Sequence, residues 1–535
     1  MKTIAQFMTF FAFDQEGGGD FFQYSIRELN IDSRQIQAGH CFVALQGERS
    51  HGLDFLESVL VKFAEQPALI LTDQAPSVAQ KAQLAQYPHV VFRVVEGLKE
   101  CLAELASWFY DQPSRRIKVI GITGTNGKTS TAFYTAQLLN GLGFSTALMG
   151  TLGNGIFKQG QLDALASTLN TTPDVVTVQR LLATFVAKEV DYVVMEVSSH
   201  ALVLGRVAGV AFDVVALTQV TRDHLDFHGS IESYHQAKQT LFTDYPARIK
   251  VVNAGDTVGQ KIVKRLASKE NEDSLWRYEI QANRTQYNMG ATPEILPKLL
   301  CDSVQLTPKG MSLSLRVCAL RRGGGEIQDT VFIPLLGAFN AENMVCALSI
   351  ILASYPESER AECWRKLTLQ LPQLQAVKGR MQPIALPSNS PTVIVDFAHS
   401  PDALQQVLLA AKQHLAPSSG GKLWAVFGCG GDRDQGKRPL MAEVAESFSD
   451  HVMVTSDNPR FEALEQIMAQ IMTGFKAPND ILVEPNRTKA IQQVLALSGA
   501  EDVVLIAGKG HENYQEINGI KIPFQDEKVV LNWMQ

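Results

Sequence analysis

The stretch Ile117–Ile122 (IKVIGI) and the segment Thr123–Ser130 (TGTNGKTS) that follows it decide the fold. An apolar run that enters a glycine-rich turn and then a helical pattern predicts a strand, a loop and a helix N-terminus, where backbone N–H groups and the helix dipole bind phosphate. Lys128 is placed to reach the β- and γ-phosphate oxygens, and the Thr129 hydroxyl to ligate Mg²⁺. The G-x-x-x-x-G-K-[ST] pattern fails by one position, because residue 122 is isoleucine and the glycine is Gly121. We therefore predict a nucleotide site, with a structural tight turn as the alternative.

Composition limits the classes of protein to which the chain can belong. Its 535 residues exceed the roughly 250–300 at which a single core stops growing, so several domains are expected. A net charge of −7 argues against a general nucleic-acid binder. The seven cysteines form no C-x-x-C pair, which is typical of reduced thiols in a cytosolic protein without a zinc site. No apolar run reaches the ~18 residues of a membrane span, and the start MKTIAQFMTFFAF is interpreted as a packed element and not as a signal peptide.

Three blocks of sequence predict three domains, over residues 1–114, 115–376 and 377–535. The second block alternates buried-strand runs with helical stretches, which is typical of a parallel α/β sheet. Its residues 303–335 alternate with period two and turn at Gly323–Gly325, which predicts an antiparallel insertion. In the third block, four strand runs each lead into a polar or glycine-rich loop; these loops are residues 396–400, 428–434, 456–460 and 508–512. Since parallel sheets bind ligands at the carboxyl ends of their strands, the four loops predict one shared cleft.

The segment Gly124–Thr129 resembles the ATP loop of the Mur ligase superfamily, the ATP-dependent enzymes that extend the peptidoglycan stem peptide. Other stretches that match the family occur in the right order along nearly the whole chain: Asp32–Arg34, Phe42–Ala44, Asn170–Pro173, Met195–His200, Thr221–Asp226, Gly379–Met381, Asp396 with Ala398 and His399, Gly428–Asp434, Asp457–Arg460 and Gly508–Glu512. The resemblance implies an α/β fold of three domains. These are a UDP-sugar-binding domain (1–114), a central ATP-binding P-loop domain with a parallel sheet (115–376) and a Rossmann-like amino-acid-binding domain (377–535).

The resemblance also implies an activity. It is the ATP-dependent addition of meso-2,6-diaminopimelate to UDP-N-acetylmuramoyl-L-alanyl-D-glutamate (UDP-MurNAc-L-Ala-D-Glu) through an acyl phosphate, with Mg²⁺ as cofactor and with domain closure to align the amine. We expect a cytoplasmic monomer of peptidoglycan precursor synthesis that binds neither nucleic acid nor membranes. Two alternatives stay open: an L-lysine-adding ligase of the same family, and a non-catalytic nucleotide-binding regulatory protein.

Three further residues predict metal chemistry. Glu196 ends the strand run Tyr192–Met195, and His224 follows the run Phe212–Leu217 by one short loop. A carboxylate there suits Mg²⁺, whereas a solvated cap is the alternative. Lys238 lies on the apolar stripe of a helical pattern, so it is either a snorkelling lysine or a desolvated amine whose lowered pKa would let it react with CO₂ to form a carbamate. The resemblance implies that Glu196 and His224 hold Mg²⁺ and that Lys238 is the carbamylated lysine of the family.

Position by position, the resemblance implies the remaining site residues. The catalytic residues are Lys128, Glu196, His224 and Lys238, and the metal ligands are Thr129, Glu196, His224 and the carbamate of Lys238. The ATP-binding residues are Gly124, Thr125, Asn126, Gly127, Lys128, Thr129, Ser130, Asn343, Arg380, Asp396 and His399. Those for UDP-MurNAc-dipeptide are Ser33, Asn170, Thr171, Thr172, Ser198 and Arg206. Those for diaminopimelate are Arg433, Asp457, Asn458, Pro459, Arg460, Gly508 and Glu512.

Charge distinguishes between the two candidate amino acids. Meso-diaminopimelate is lysine plus a carboxylate, so a site that prefers it needs a cation, which Arg460 or Arg433 supplies, while Glu512 suits a substrate ammonium. Charge-assisted hydrogen bonds of roughly 1.5–3 kcal/mol give about 10- to 150-fold discrimination. In the family, arginine in this motif accompanies the diaminopimelate enzymes. One departure is Leu204, since the family pattern has glutamine two residues before Arg206.

Overall fold

A computed structural model describes residues 1–14, 19–47, 49–63, 65–158, 161–166, 170–267, 274–281, 298–318, 326–387, 389–415 and 420–533. The chain divides into two compact units. The first unit comprises Met1–Thr125 and Gly143–Lys250, and the second comprises Asn126–Leu142 and Val251–Gln535. Within the described ranges, no helix combines the length and the apolar character that crossing a membrane requires.

The first unit begins with a parallel sheet whose two inner strands are buried along their whole length, as strands covered on both faces require. The strand order is Glu28–Asn30, His40–Ala44, Ala68–Thr72 and Val90–Val94. The helices of this part are Ile4–Phe10, Leu56–Phe63, Val78–Leu84 and Leu98–Phe109. Strand Lys2–Thr3 pairs antiparallel with Ser25–Ile26, and Phe7 and Met8 of the first helix are fully buried in the core.

The second sheet of this unit carries the phosphate loop. Its strand order is Gln161–Ala166, Gly153–Lys158, Thr146–Gly150, Tyr192–Glu196, Lys118–Thr123 and Phe212–Leu217. The helices are Val175–Ala187, Ser199–Val203, Leu225–His228 and Ile231–Thr243, and strand Ala247–Asn253 contains the boundary between the units. The four strands from Thr146–Gly150 to Phe212–Leu217 are parallel, so the loops after residues 123, 196 and 217 open at the same edge of the sheet.

The second unit opens with helix Lys128–Gly141, which packs against helix Phe339–Ser354. Strands Leu275–Ile280 and Leu299–Thr307 are parallel, and the next two, Gly310–Val317 and Ile327–Ile333, continue antiparallel. The other helices here are Thr257–Leu266 and Glu357–Gln370. The predicted antiparallel insertion is confirmed, since Met311, Leu313, Leu315 and Val317 are fully buried and the residues between them are not. The predicted turn at Gly323–Gly325 lies outside the described residues.

The C-terminal part of this unit is a doubly wound sheet. Its strand order is Gln382–Ile384, Thr392–Asp396, Val503–Ala507, Leu423–Phe427, His451–Val454 and Leu482–Val483, and all but the first are parallel. Helices Pro401–Lys412, Lys437–Phe448 and Leu464–Met472 pack on one face, and Arg487–Leu497 and Asp526–Trp533 on the other. A hairpin joins Tyr514–Ile517 to Ile520–Pro523. The four loops predicted to share a cleft therefore leave the same edge of one sheet, as predicted.

Candidate active site

The phosphate loop follows strand Lys118–Thr123 and ends where helix Lys128–Gly141 begins. Its backbone has a positive φ at Gly124 (+154°) and at Gly127 (+83°), the residue directly before the helix. A Cβ on Gly124 would lie 1.9 Å from Thr218 Oγ1, so only glycine fits there. A helix N-terminus directly after a glycine-rich loop is the arrangement that binds phosphate. The other predicted ATP residues of this segment are Thr125, Asn126, Lys128, Thr129 and Ser130.

Hydrogen bonds within the first unit hold the start of the phosphate loop in place. Thr125 N–H donates to the Gln219 carbonyl (2.7 Å), and the Thr125 hydroxyl accepts from Thr221 N–H (3.0 Å) and pairs with the Tyr234 hydroxyl (2.8 Å). Lys238 is 1% exposed, and its Nζ donates to the Gly124 carbonyl (2.7 Å). The predicted catalytic lysine therefore contacts the phosphate loop directly.

Glu196 joins the predicted dipeptide-binding residues in one hydrogen-bond network. It is 3% exposed, and its Oε1 accepts from Thr151 N–H (2.8 Å). The Thr172 hydroxyl donates to the Glu196 carbonyl (2.9 Å) and accepts from Ser198 N–H (3.1 Å), and Arg206 Nη1 donates to the Thr172 carbonyl (3.0 Å). The hydroxyls of Thr151 and Thr171 lie 3.3 Å apart, and Asn170, the residue directly before Thr171, is exposed.

Two predicted residues of the first unit lie outside this network. His224 has a positive φ (+50°) directly before helix Leu225–His228, and its half-exposed ring packs at 4.8 Å from the ring of His200. Burial lowers the pKa of His200. Ser33 begins a short turn, and its carbonyl accepts from Lys62 Nζ (2.9 Å). No described hydrogen bond joins Ser33 to Glu196 or its partners.

The other predicted ATP residues of the second unit, beyond the phosphate-loop segment, occur in two places. Asn343 Nδ2 donates to Asn340 Oδ1 (3.0 Å), which also accepts from the hydroxyl of Tyr134 on the phosphate-loop helix (3.2 Å). Elsewhere, buried Asp396 accepts from the N–H groups of Met381 (2.7 Å) and Ala398 (2.8 Å). Burial raises the pKa of Asp396, and these two N–H groups oppose the rise.

Arg380 and His399 flank one aromatic ring. The Arg380 guanidinium lies 5.7 Å from the centre of the Phe397 ring, and the His399 ring lies 4.7 Å from it. The His511 ring contacts the same phenyl ring at 5.0 Å. A guanidinium and two imidazole rings are thus gathered around Phe397, the residue directly after strand Thr392–Asp396.

Gly379 allows its loop to lie close to the backbone of His511. Its φ is +68°, and a Cβ there would lie 2.3 Å from the backbone nitrogen of His511. Gly420 has nearly the same φ (+70°) and open space around it, which makes it a matched control. We expect Gly420→Ala to cost about 1 kcal/mol of unfolding free energy and Gly379→Ala about 2–3 kcal/mol, because only the latter adds a clash to the backbone strain. Urea denaturation of the two variants measures the difference, and equal costs would contradict the close approach.

The residues predicted to bind diaminopimelate lie on three loops, which are residues 428–434, 456–460 and 508–512. Asn458 Nδ2 donates to Glu512 Oε2 (2.8 Å). Arg460 has a positive φ (+52°), and its Nη1 donates to the Gly431 carbonyl (2.8 Å). The remaining predicted members are Arg433, Asp457, Pro459 and Gly508; of these, Gly508 approaches Asp457 closely, and Arg433 is exposed. Burial raises the pKa of the Asp457 carboxyl, and the charges of Arg487 and Lys509 oppose the rise.

Sequence reasoning missed three buried cations that hold these loops. Lys509 lies among Asp457, Asn458 and Glu512, so the predicted ammonium acceptor Glu512 already binds a protein cation. Arg438 binds Glu462 and the Gly430 carbonyl, and Arg487 binds Asp526 and the carbonyls of Ser456 and Ala507. A lysine or arginine beside a loop is usually exposed. The only available signal was that Lys509 falls inside the Gly508–Glu512 motif.

The first unit offers a carboxylate that suits Mg²⁺. No group of three or more His, Cys, Asp or Glu residues lies together in the part of the chain that the structure describes. Mg²⁺ is usually held by one or two carboxylates together with substrate phosphates. Buried Glu196 offers a carboxylate of the kind that Mg²⁺ prefers, whereas the His224 nitrogen is a less typical ligand.

Comparisons with known proteins agree with this geometry. Three family models match successive parts of the chain: the Mur ligase family catalytic domain at residues 25–110, the Mur ligase middle domain at 122–351 and the Mur ligase glutamate ligase domain at 379–510. The chain is 39% identical over 513 residues to the UDP-N-acetylmuramoyl-L-alanyl-D-glutamate–2,6-diaminopimelate ligase of Pseudomonas aeruginosa, which covers 95% of this chain and 96% of that protein. It is 38% identical over 503 residues to the ligase of the same name from Coxiella burnetii, covering 94% of each.

Solved structures of two ligases also superpose on this chain. A UDP-N-acetylmuramoyl-L-alanyl-D-glutamate–2,6-diaminopimelate ligase superposes with a TM-score of 0.68 at 30% identity, covering 99% of this chain and 98% of that one. MurF ligase from Thermotoga maritima in complex with ADP superposes with a TM-score of 0.52 at 17% identity, covering 95% and 96%, and it shares the fold.

Proposed function

This chain belongs to the Mur ligase family, and we propose that it joins meso-2,6-diaminopimelate to UDP-MurNAc-L-Ala-D-Glu at the expense of ATP. It has the three-domain α/β architecture of that family. The observation that carries the proposal is the network of Glu196, Thr172, Ser198 and Arg206, which links the predicted dipeptide-binding residues to a predicted metal ligand in the unit that contains the phosphate-loop strand. Relatives named for this reaction over nearly the full chain support it.

The chemistry follows from the inertness of a carboxylate toward amines. An oxygen of the D-Glu side-chain carboxylate attacks the γ-phosphorus of ATP, the bond to the β-phosphate oxygen breaks, and ADP leaves. The amine then attacks the acyl phosphate, and the tetrahedral adduct loses phosphate and a proton to give the amide. Phosphorylation is needed because phosphate is a far better leaving group than oxide.

The phosphate loop would stabilise the transferring group. We propose that Lys128 and backbone N–H groups at the start of helix Lys128–Gly141 bind the triphosphate and neutralise the charge that develops on it. Thr129, Glu196, His224 and the carbamate of Lys238 would hold Mg²⁺, which when bound supplies further charge neutralisation. The full burial of Lys238 against the Gly124 carbonyl supports this, since a lysine kept from water is the kind that forms a carbamate.

Three functional domains are proposed with boundaries at 1–114, 115–376 and 377–535. Ser33, Asn170, Thr171, Thr172, Ser198 and Arg206 would bind UDP-MurNAc-dipeptide, and Asn343, Arg380, Asp396 and His399 would complete the ATP site. The hydroxyls, amide and guanidinium of the first group suit a polar anionic ligand. Because the reaction consumes ATP, we place it in the cytoplasm.

Arg460 is proposed to select diaminopimelate over lysine. We expect Arg460→Ala to lower kcat/KM for diaminopimelate about 10- to 150-fold, because a charge-assisted hydrogen bond to the second carboxylate is lost. The value for L-lysine, which lacks that carboxylate, should change much less. Parallel steady-state assays with both amino acids measure this, with Arg365→Ala, a 71% exposed arginine, as the control. Equal losses for both amino acids would contradict the assignment.

The reaction itself is tested by phosphate release from purified protein with Mg²⁺, ATP, UDP-MurNAc-L-Ala-D-Glu and diaminopimelate. Omission of any one substrate should abolish release. A lysine-adding ligase would turn over faster with L-lysine, and a regulatory nucleotide-binding protein would bind ATP without amine-dependent release. Either outcome would refute the proposed function.

A further inference from the structure

Lys509 is a fully buried lysine beside a predicted substrate pocket. None of its side chain is exposed. Its Nζ lies 2.9 Å from Glu512 Oε2, 3.0 Å from Asn458 Oδ1 and 3.6 Å from Asp457 Oδ1. A buried ammonium is retained only where paired acceptors offset its lost hydration. All three acceptors belong to the set predicted to bind diaminopimelate.

The contacts of Lys509 leave one oxygen of Glu512 for a ligand. The two donors to this carboxylate, Lys509 Nζ and Asn458 Nδ2, bind the same oxygen, Oε2. No hydrogen bond to Oε1 is present among the described residues, and the Glu512 side chain is 21% exposed. The carboxylate is therefore held on one side and accessible on the other.

Asn458 is fixed in the same way. Its Oδ1 accepts from Lys509 Nζ and from Glu516 N–H (2.9 Å), while its Nδ2 donates to Glu512. Since an amide that uses both ends cannot flip without losing bonds, Lys509 also sets which end of Asn458 faces Glu512.

Charge around the pocket supports binding of a cation. Asp457, Glu512, Glu516 and Asp526 are four carboxylates that face three protein cations, Lys509, Arg460 and Arg487. One negative charge remains, which an ammonium group of the substrate would neutralise.

Building on the proposed function, we propose that Lys509 is a positioning residue for the amino-acid substrate, which fixes Glu512 and Asn458 so that Glu512 Oε1 accepts the substrate ammonium. Lys509 does not touch the reacting atoms. Its loss therefore changes binding of diaminopimelate and leaves binding of ATP and UDP-MurNAc-L-Ala-D-Glu unchanged.

The test is steady-state kinetics of Lys509→Met with each substrate varied in turn. We expect KM for diaminopimelate to rise about tenfold or more while the KM values for ATP and UDP-MurNAc-L-Ala-D-Glu stay within twofold, because a preorganised charged contact is lost. Lys509→Arg keeps a charge and several donors, so its KM for diaminopimelate should rise about threefold. Lys489→Met, an exposed lysine of helix Arg487–Leu497, is the control and should match the wild type.

Each outcome decides between positioning and a merely structural role. If all three KM values stay unchanged, or all rise together, the proposal is wrong. If Lys509→Met does not fold, Lys509→Arg decides alone, and an unchanged KM for diaminopimelate in that variant refutes the proposal. Wild-type protein that shows no diaminopimelate-dependent phosphate release would instead refute the proposed function, so the two failures are distinguishable.

Discussion

Lys128→Met is expected to lower the rate of diaminopimelate-dependent phosphate release by about 10³-fold or more. Lys128 is the first residue of the helix that follows the phosphate loop, where its ammonium would face the β- and γ-phosphates. Negative charge develops on the transferred group and on the leaving ADP in the transition state. Methionine keeps the length of the side chain and removes the charge, so the loss should fall mainly on kcat measured at saturating ATP.

The matched control for this variant is Lys188→Met. Lys188 is an exposed residue at the end of helix Val175–Ala187 and lies outside the predicted site. Its variant should retain wild-type kcat, and both variants should share the wild-type Tm, because Lys128 is not part of a buried core. A Lys128→Met enzyme with a kcat within tenfold of the wild type would show that Lys128 does not stabilise the transferred phosphate.

Lys238→Arg should cost about 10²- to 10³-fold in kcat. Arginine keeps a positive charge and can still donate to the Gly124 carbonyl, so the fold is retained. A guanidinium stays protonated, however, and therefore cannot add CO₂ to form a carbamate. The site would lose an anionic ligand and gain a cation where the metal and the triphosphate must meet.

A spectroscopic readout separates the loss of the carbamate from poor packing. Wild-type protein equilibrated with ¹³C-bicarbonate should give a protein-bound carbamate signal by NMR that is missing in Lys238→Arg. Lys264→Arg, an exposed lysine on helix Thr257–Leu266, should give the wild-type signal and rate. If the wild type shows no such signal and Lys238→Arg is fully active, Lys238 is a structural lysine.

The parallel strands were predictable because burial on both faces makes them continuous apolar runs. The bounds of Phe212–Leu217 agree with the sequence pattern residue for residue. The start of the phosphate-loop helix was not predictable in this way. The helical pattern follows the segment Thr123–Ser130, but the helix begins inside that segment at Lys128, since the polar first turn carries no hydrophobic signal.

The sequence predicted which polar residues occur in the site, but it did not predict which of them bind each other. Glu512 is predicted to bind a substrate ammonium, and sequence reasoning did not show that Lys509 and Asn458 also bind its carboxylate. Asn458 and Lys509 lie 51 residues apart in sequence, and only the order of the strands brings their loops together. Periodicity describes which face of an element is buried, and it does not describe which loop lies beside which.

Helix Asp526–Trp533 supplies the carboxylate that neutralises Arg487. The Arg487 guanidinium binds the carbonyls of Ser456 and Ala507, the residues directly before Asp457 and Gly508, and it is neutralised by Asp526. Translation must therefore pass residue 526 before this arginine has its counter-ion. A nascent or prematurely terminated polypeptide that stops earlier would contain every predicted ligand-binding residue and still lack the electrostatic partner that keeps the pocket in shape.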